Sequence, residues 1–458
     1  MTTQSLAESG TGVAPVSENA VRKVALISLL GASVEWYDFF LYGAAAAAVF
    51  PRVFFSGDLP PLVGVFASFA TFAVGFIARP IGGVIFGHYG DRLGRKSTLV
   101  TALMLMGCST TLIGLLPSYA IVGAWAPAML IVLRFLQGIA IGGQWGGAML
   151  LATENAPKHR RGFYGSFTQA GAPLGVILAN LAFLLMSSNL SDLDFMRWGW
   201  RVPFVISLVL VGVALYVQLK LEETASFRLL RALSHPGEDE RKSRPATRRS
   251  PVLAVLVSHP RQIVLAAGAF IAIQVSIYIL ISFVIAYGSA RKGLHIPRDT
   301  MLGAVLIGAM VMTPATFISG ALSDIYGRRG VFMVGAILLA IWSFAVFPLI
   351  DTGRFLWITV AIAVAQGVVG IMYGPQAAFF AELFSTEVRY SGASLGYQIG
   401  AILGGAFAPL IATALLAGFG SGLAISAYMS AACVISLLSV FLLAETHRGD
   451  LDPKAELA

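Results

Sequence analysis

The sequence predicts an all-α membrane protein of twelve transmembrane helices, built as two six-helix repeats in the same orientation, with both termini cytoplasmic. Three observations carry that reading: a large apolar excess, a regular series of apolar runs, and a motif that occurs twice. Only 12% of the 458 residues are charged and 57% are hydrophobic, at a mean hydropathy of +0.80. A soluble domain carries about 25% charged residues, and a core of ordinary size cannot hide this much apolar surface. Twelve spans of about 20 apolar residues each call for about 240, which the hydrophobic share of this chain supplies. The 49 glycines fit as well, because small residues let helix backbones approach closely in lipid.

Apolar runs bounded by charge, proline or glycine fall at 24–50, 62–86, 98–116, 124–152, 163–187, 201–220, 262–288, 300–321, 331–349, 355–381, 392–417 and 421–444. The polar stretch before the first run lacks the basic-then-apolar order of a cleaved signal peptide, so the first span reads as an uncleaved insertion signal. Between the sixth and seventh runs lies a long polar stretch with Pro236, Pro245, Pro251 and mixed charge, which reads as a solvated linker. The expected division is a tail at 1–21, a bundle at 22–220, a cytoplasmic linker at 221–258, a second bundle at 259–444 and a tail at 445–458.

Orientation follows from the basic residues. With the chain starting inside, most of the 31 Lys and Arg residues fall in cytoplasmic segments, among them Arg22, Lys23, Lys158, Arg160, Arg161 and Arg389. The net charge of +8 therefore reads as a topology signal, not as a nucleic-acid-binding stripe. Cys108 and Cys433 stand apart in apolar runs and make no disulfide framework or metal site. All six histidines lie in loops or at span ends, and no nucleophile–base constellation is visible. Neither an enzyme nor a bound cofactor or metal is expected.

The repeat is the most informative feature of the organisation. Gly87-His-Tyr-Gly-Asp91-Arg92-Leu-Gly94-Arg95-Lys96 returns as Gly320-Ala-Leu-Ser-Asp324-Ile-Tyr-Gly327-Arg328-Arg329, with Gly, Asp, Gly and Arg at one common offset. Gln137-Gly138 is echoed by Gln366-Gly367, and Gln169, Gly171 and Gly175 by Gln398, Gly400 and Gly404. Each half ends in Glu-Thr, at Glu223-Thr224 and Glu445-Thr446. Parallel repeats of this kind are the arrangement of a secondary transporter, with its site near the midplane between the halves.

The loop after the second span fits G-x-x-x-D-R-x-G-R-K and resembles the signature of the major facilitator superfamily. Further stretches are similar to its metabolite:proton symporter branch, which includes shikimate, α-ketoglutarate, citrate and proline/betaine permeases. They are Val34-Glu35-Trp36-Tyr37-Asp38-Phe39-Phe40-Leu41-Tyr42-Gly43, Arg79-Pro80-Ile81-Gly82-Gly83, Arg134-Phe-Leu-Gln137-Gly138, Gly142-Gly143-Gln144-Trp145-Gly146-Gly147-Ala148 and Glu222-Glu223-Thr224. The resemblance spans about 22 to about 447 and looks closest to the shikimate-permease type. Two departures stand out: Gln144 occupies a position where this family usually has glutamate, and the tail after the last span is too short for the coiled coil of some betaine permeases. The resemblance implies that Asp91 meets the start of the eleventh span near Gly392. Gly87, Asp91, Arg92, Gly94, Arg95 and Lys96 would then form one gate, with Gly320, Asp324, Gly327, Arg328 and Arg329 as the second copy. The basic residues of the first copy have Glu154 as a candidate partner.

Four charges fall well inside spans: Glu35, Asp38, Arg79 and Arg134. Each costs at least about 2.5–3.5 kcal/mol at the bilayer centre on insertion scales, so they need partners or a water-filled cavity. Glu35 and Asp38 share one helix face with Tyr42 a turn further on, and this acid pair is the expected proton-coupling site, Asp38 ahead of Glu35. Either acid alternatively neutralises an arginine. Arg134 lies near mid-span, and its guanidinium fork suits a carboxylate; it is the first candidate anchor for an organic anion, and Arg79 the second. Tyr42, Gln137, Gln144, Trp145, Gln274, Tyr278 and Gln398 are the remaining candidate substrate contacts.

The expected function is symport of a proton with a small organic acid, shikimate-like or another carboxylate, across the inner membrane, with the proton gradient as energy source and a monomer in the bilayer. Uptake of an osmolyte or zwitterion, drug efflux by antiport, and a receptor or scaffold using the linker are the alternatives.

Overall fold

The computed structural model describes residues 18–93, 95–142, 145–154, 156–220, 257–290, 295–384 and 389–447; within the helices, the side chains at 18–20, 23, 87–93, 95–99, 145–148, 151, 214, 217–220, 289 and 290 lie outside the description. Among the described residues every regular element is helical. Ten helices are long and apolar enough to cross a membrane, and two shorter apolar ones, Val100–Leu115 and Gly199–Val213, stand at the third and sixth predicted positions. The chain is a multi-pass helical membrane protein.

The helices are α1 Glu18–Ala48, α2 Pro61–Leu93, α3 Arg95–Leu115, α4 Trp125–Gly142, α5 Arg161–Asn189, α6 Val202–Lys220, α7 Pro260–Tyr278, α8 Arg298–Tyr326, α9 Arg328–Ile350, α10 Phe355–Glu382, α11 Arg389–Gly400 and α12 Gly422–Leu442. A separate helical segment, Trp145–Glu154, follows α4. In α7 and α11 the α-helical ladder gives way to π-helical turns, Ile279–Phe283 and Ala401–Ala406, before helix resumes at Val284–Ala290 and Ala408–Phe419. Proline inside α2, α5, α8, α9 and α10 is tolerated, because in a bundle neighbouring helices re-satisfy the freed backbone groups.

Glycine sets the closest crossing. A Cβ on Gly82 would run into the backbone carbonyl of Ile139, and one on Gly142 into that of Arg79, so α2 and α4 touch backbone to backbone. That contact brings Arg79 and Arg134 together.

Contacts between the first six helices and the last six form two seams. On one, α5 packs against α8 and α10; on the other, α2 packs against 401–419 and α1 against the 279–283 turn. The seam is bridged at both ends. At the end carrying the repeated motif, Asp324 accepts hydrogen bonds from the backbone N–H groups of Gly162 and Phe163 at 2.8 Å, and Arg389 donates to Glu154 at 3.4 Å. At the opposite end, Arg298 donates to Ser187 and pairs with Asp192.

Candidate functional site

All four intramembrane charges come from the first six helices, and the structure separates them into an arginine cluster and an acid with its own partner. Asp38 on α1 is 1% exposed. Its Oδ1 accepts a hydrogen bond from Ser207 on α6, and its Oδ2 has no hydrogen-bond partner among the described residues. Among the described residues no guanidinium is paired with it. Glu35, one turn earlier, is the acid in electrostatic reach of Arg79, and the two line a cavity of about 10 Å³ with Trp36, Phe39 and Ile141. That volume holds barely one water.

Arg79 and Arg134 are 1% and 0% exposed. Arg134 lies with its Cζ 4.4 Å from the Phe39 ring, 4.2 Å from Tyr42 and 4.6 Å from Phe72. Its Nη1 donates to Gln137 Oε1 at 3.1 Å and its Nε to the Phe72 carbonyl at a long 3.5 Å. Gln137 in turn donates to Thr110 at 2.7 Å. The remaining nitrogen, Nη2, has no hydrogen-bond partner among the described residues. Arg79 stacks on Phe39 and Phe76 at 4.6 and 4.4 Å, and among the described residues none of its three side-chain nitrogens makes a hydrogen bond.

Tyr278 closes the cluster from the second half. Its ring meets Phe39, Phe40, Phe72 and Phe76 at centroid distances between 5.1 and 6.0 Å. Its hydroxyl is buried beside Arg79 and Gln274 and within electrostatic reach of Arg134. Among the described residues neither this hydroxyl nor Gln274 Nε2 has a well-formed hydrogen bond. The result is a buried cluster of aromatic faces in which, among the described residues, three nitrogens of Arg79, one of Arg134, Gln274 Nε2 and the Tyr278 hydroxyl lack a well-formed hydrogen bond. Buried donors of this kind are normally satisfied, and two guanidiniums on one wall fit a carboxylate, which accepts two parallel N–H bonds.

Of the predicted site residues, Arg79, Arg134, Tyr42, Gln137, Gln274 and Tyr278 are therefore brought together. Tyr42 is held by a 2.7 Å hydrogen bond to Thr71. Gln398 is buried on α11, and among the described residues its Oε1 makes no hydrogen bond. The Gln144 and Trp145 side chains lie outside the described residues, as do those of Gly87, Asp91, Arg92, Arg95 and Lys96, and the whole of Gly94. In the second copy of the motif, Gly320 packs on Gly162 and Ser166 across the seam. Arg328 bonds Asp324 at 2.6 Å and grips Glu382 through Nε and Nη2 at 3.2 and 3.1 Å. Gly327 has φ 92°, and a Cβ there would strike Glu445. Arg329 donates its backbone N–H to Glu445 at 3.0 Å.

Two features escaped the sequence reading. Phe69, Phe72, Phe76 and Arg79 are spaced as one stripe of α2, a 3–4 pattern that was there to be read. The other is a direct amide contact across the seam, Gln169 Nε2 to Gln376 Oε1 at 2.8 Å; no spacing rule links residues so far apart.

The sequence model of the Major Facilitator Superfamily matches residues 28–396. The chain belongs to the major facilitator superfamily. It is 42% identical over 440 residues to the inner membrane metabolite transport protein YhjE of Escherichia coli (strain K12), covering 94% of this chain and 96% of that one. It is 39% identical to the shikimate transporter of the same organism, covering 94% and 97%, and 32% identical to the proline/betaine transporter of Salmonella typhimurium, covering 94% and 85%. Among solved structures, the xylose transporter XylE from E. coli in a partially occluded inward open conformation superposes with a TM-score of 0.71 at 18% identity, over 94% of this chain and 99% of that one, and shares its fold. Membership in this superfamily makes the chain a membrane transporter of small molecules and not an enzyme.

Proposed function

We propose that this transporter imports a small organic anion together with a proton across the inner membrane, its motif face and both termini cytoplasmic, by rocking of the bundles 22–220 and 259–444 about a site between them. The observation that carries the proposal is the set of unpaired donors on Arg79, Arg134, Gln274 and Tyr278, buried where both halves meet. A carboxylate supplies the acceptors these donors lack, and the fork of Arg134 orients it. Asp38 is the proposed proton carrier, because a carboxyl that alternates between charged and neutral forms is the minimal coupling device and, among the described residues, no cation is paired with this one. Glu35, beside Arg79, is the second candidate. The name of the shikimate transporter supports a cyclic carboxylate as the first substrate to try.

The proline/betaine relatives make a zwitterion the second reading. The aromatic faces that would hold a quaternary ammonium are already stacked on guanidinium groups, which favours the anion.

The test uses purified protein in liposomes under an inward proton gradient, with shikimate, quinate, α-ketoglutarate, citrate and proline betaine as probes. The expected result is gradient-driven accumulation of one acid, and only downhill exchange in Asp38→Asn. Accumulation of the betaine alone, extrusion driven by the same gradient, or undiminished accumulation in Asp38→Asn would each overturn the corresponding part of the proposal.

A further inference from the structure

We infer that Arg298 is a latch that holds the two halves together at the face opposite the repeated motif, and that its release is the step that opens this face. Arg298 begins α8, in the second half, yet its guanidinium sits in a socket made by the first half. Its Nε and Nη2 donate to Ser187 Oγ at 3.1 and 2.9 Å, at the end of α5. Its Nη2 lies 3.4 Å from Asp192, and its Cζ is 3.9 Å above the ring of Phe195. Both residues belong to the short helix Asp192–Arg197 of the first half. The same Ser187 hydroxyl donates to Asp299, the neighbour of Arg298.

An isolated exposed ion pair contributes little to stability. This one combines a two-nitrogen grip on one hydroxyl, a carboxylate and a fully buried aromatic ring, while the Arg298 side chain stays 19% exposed. It is therefore both specific in geometry and reachable by water. A cleft of about 410 Å³ opens beside it, lined by Ala48, Arg52 and Ile285 as well as the latch residues, so loss of the contact would extend an existing opening.

The other end of the same helix pair carries the Asp324 contact to Gly162 and Phe163. α5 and α8 are thus fastened at both ends by a charged side chain of the second half seated on the first. Alternating access then amounts to releasing one fastening while the other holds.

The inference rests on alternating access between the halves, so its test needs no substrate. In a background of Cys108→Ser and Cys433→Ala, a single reporter cysteine is placed at Ile285, beside the latch, or at Ser166, in the seam at the motif end. Labelling by a maleimide is timed in detergent micelles, with and without Arg298→Ala. Labelling at 285 is expected to quicken about threefold or more, as the population of the open face rises, and labelling at 166 is expected to slow or stay the same. Ser187→Ala, which removes the shared hydroxyl and keeps the charge, is expected to shift 285 in the same direction and serves if Arg298→Ala is poorly folded. Unchanged labelling at 285 overturns the latch. Equal quickening at both positions overturns it too, because Arg298 would then be holding the fold and not one face. Either result leaves the proton-symport reading to its own assay.

Discussion

Asp324 accepts the backbone N–H of Gly162 at 2.8 Å across the seam between the halves, and its other oxygen accepts that of Phe163. Gly162 lies in the first turn of α5, where helix N–H groups have no partner of their own and the helix dipole favours negative charge. The same carboxylate holds Arg328, which holds Glu382. Asp324→Asn keeps one acceptor and loses the charge. The expected outcome is faster maleimide labelling of a cysteine at Ser166, with a transport rate lowered by about fivefold or more, in keeping with the loss of about 1 kcal/mol or more that a charged hydrogen bond supplies. Labelling equal to that of the parent protein would show that the cap does not hold this face.

Arg134 is expected to tolerate no conservative change. Lysine keeps the charge but loses the planar fork and the stacking on Phe39, Tyr42 and Phe72. Arg134→Lys should weaken binding of the transported substrate about 10- to 100-fold, equivalent to about 1.4–2.8 kcal/mol, read from the half-saturating concentration for uptake. Gln137→Ala, which removes one partner of the guanidinium, should have a smaller effect in the same direction.

Glycine at 82 is required by contact and glycine at 212 is not. A methyl group on Gly82 meets the Ile139 carbonyl, whereas one on Gly212 meets nothing within 4 Å. Gly82→Ala is expected to destabilise the protein by about 1–3 kcal/mol, the usual cost of overpacking. Gly212→Ala should be neutral or slightly stabilising, as for an open helical site. Unfolding temperatures in detergent compare the two directly.

Glu445 ties the chain after α12 to the start of α9. Burial would raise its pKa, but the backbone N–H groups of Arg328, His447, Arg329 and Thr446 outweigh it and hold the carboxyl below its ordinary value. A carboxyl depressed in the folded state adds stability above its unfolded pKa, about 4.3 for glutamate, and loses it as the pH falls through the lower folded value. The unfolding temperature of the parent protein should therefore drop on acidification in that range by more than that of Glu445→Gln. Parallel pH curves would rule out this contribution.

Much of the fold was legible in one dimension because lipid imposes a length and a composition on each helix. The apolar runs coincide with the helices, and the repeat located Asp324 and Arg328, which the structure places at a hydrogen-bonded contact between the halves. The π-helical turns at 279–283 and 401–406 were not legible, since Ile279–Phe283 is as apolar as the helix around it. Nor was the division of the four charges inside the spans. Glu35 and Asp38 share a helix face in sequence, yet one lies towards Arg79 and the other on Ser207, a choice made by α2 and α6, which both pack on α1.

By itself the sequence determined that the chain is a polytopic helical membrane protein with an internal repeat and four charges in costly places, because hydropathy, spacing and charge are local properties that each residue carries into any fold. Only the tertiary structure decided that Arg79 and Arg134 share one aromatic wall with Tyr278, that Gln169 meets Gln376, and that Arg298 docks into a socket of the other half. Those are meetings of residues distant along the chain. They depend on which helices approach, and that approach is set by backbone contacts such as Gly82 against Ile139, not by any pattern within a single span.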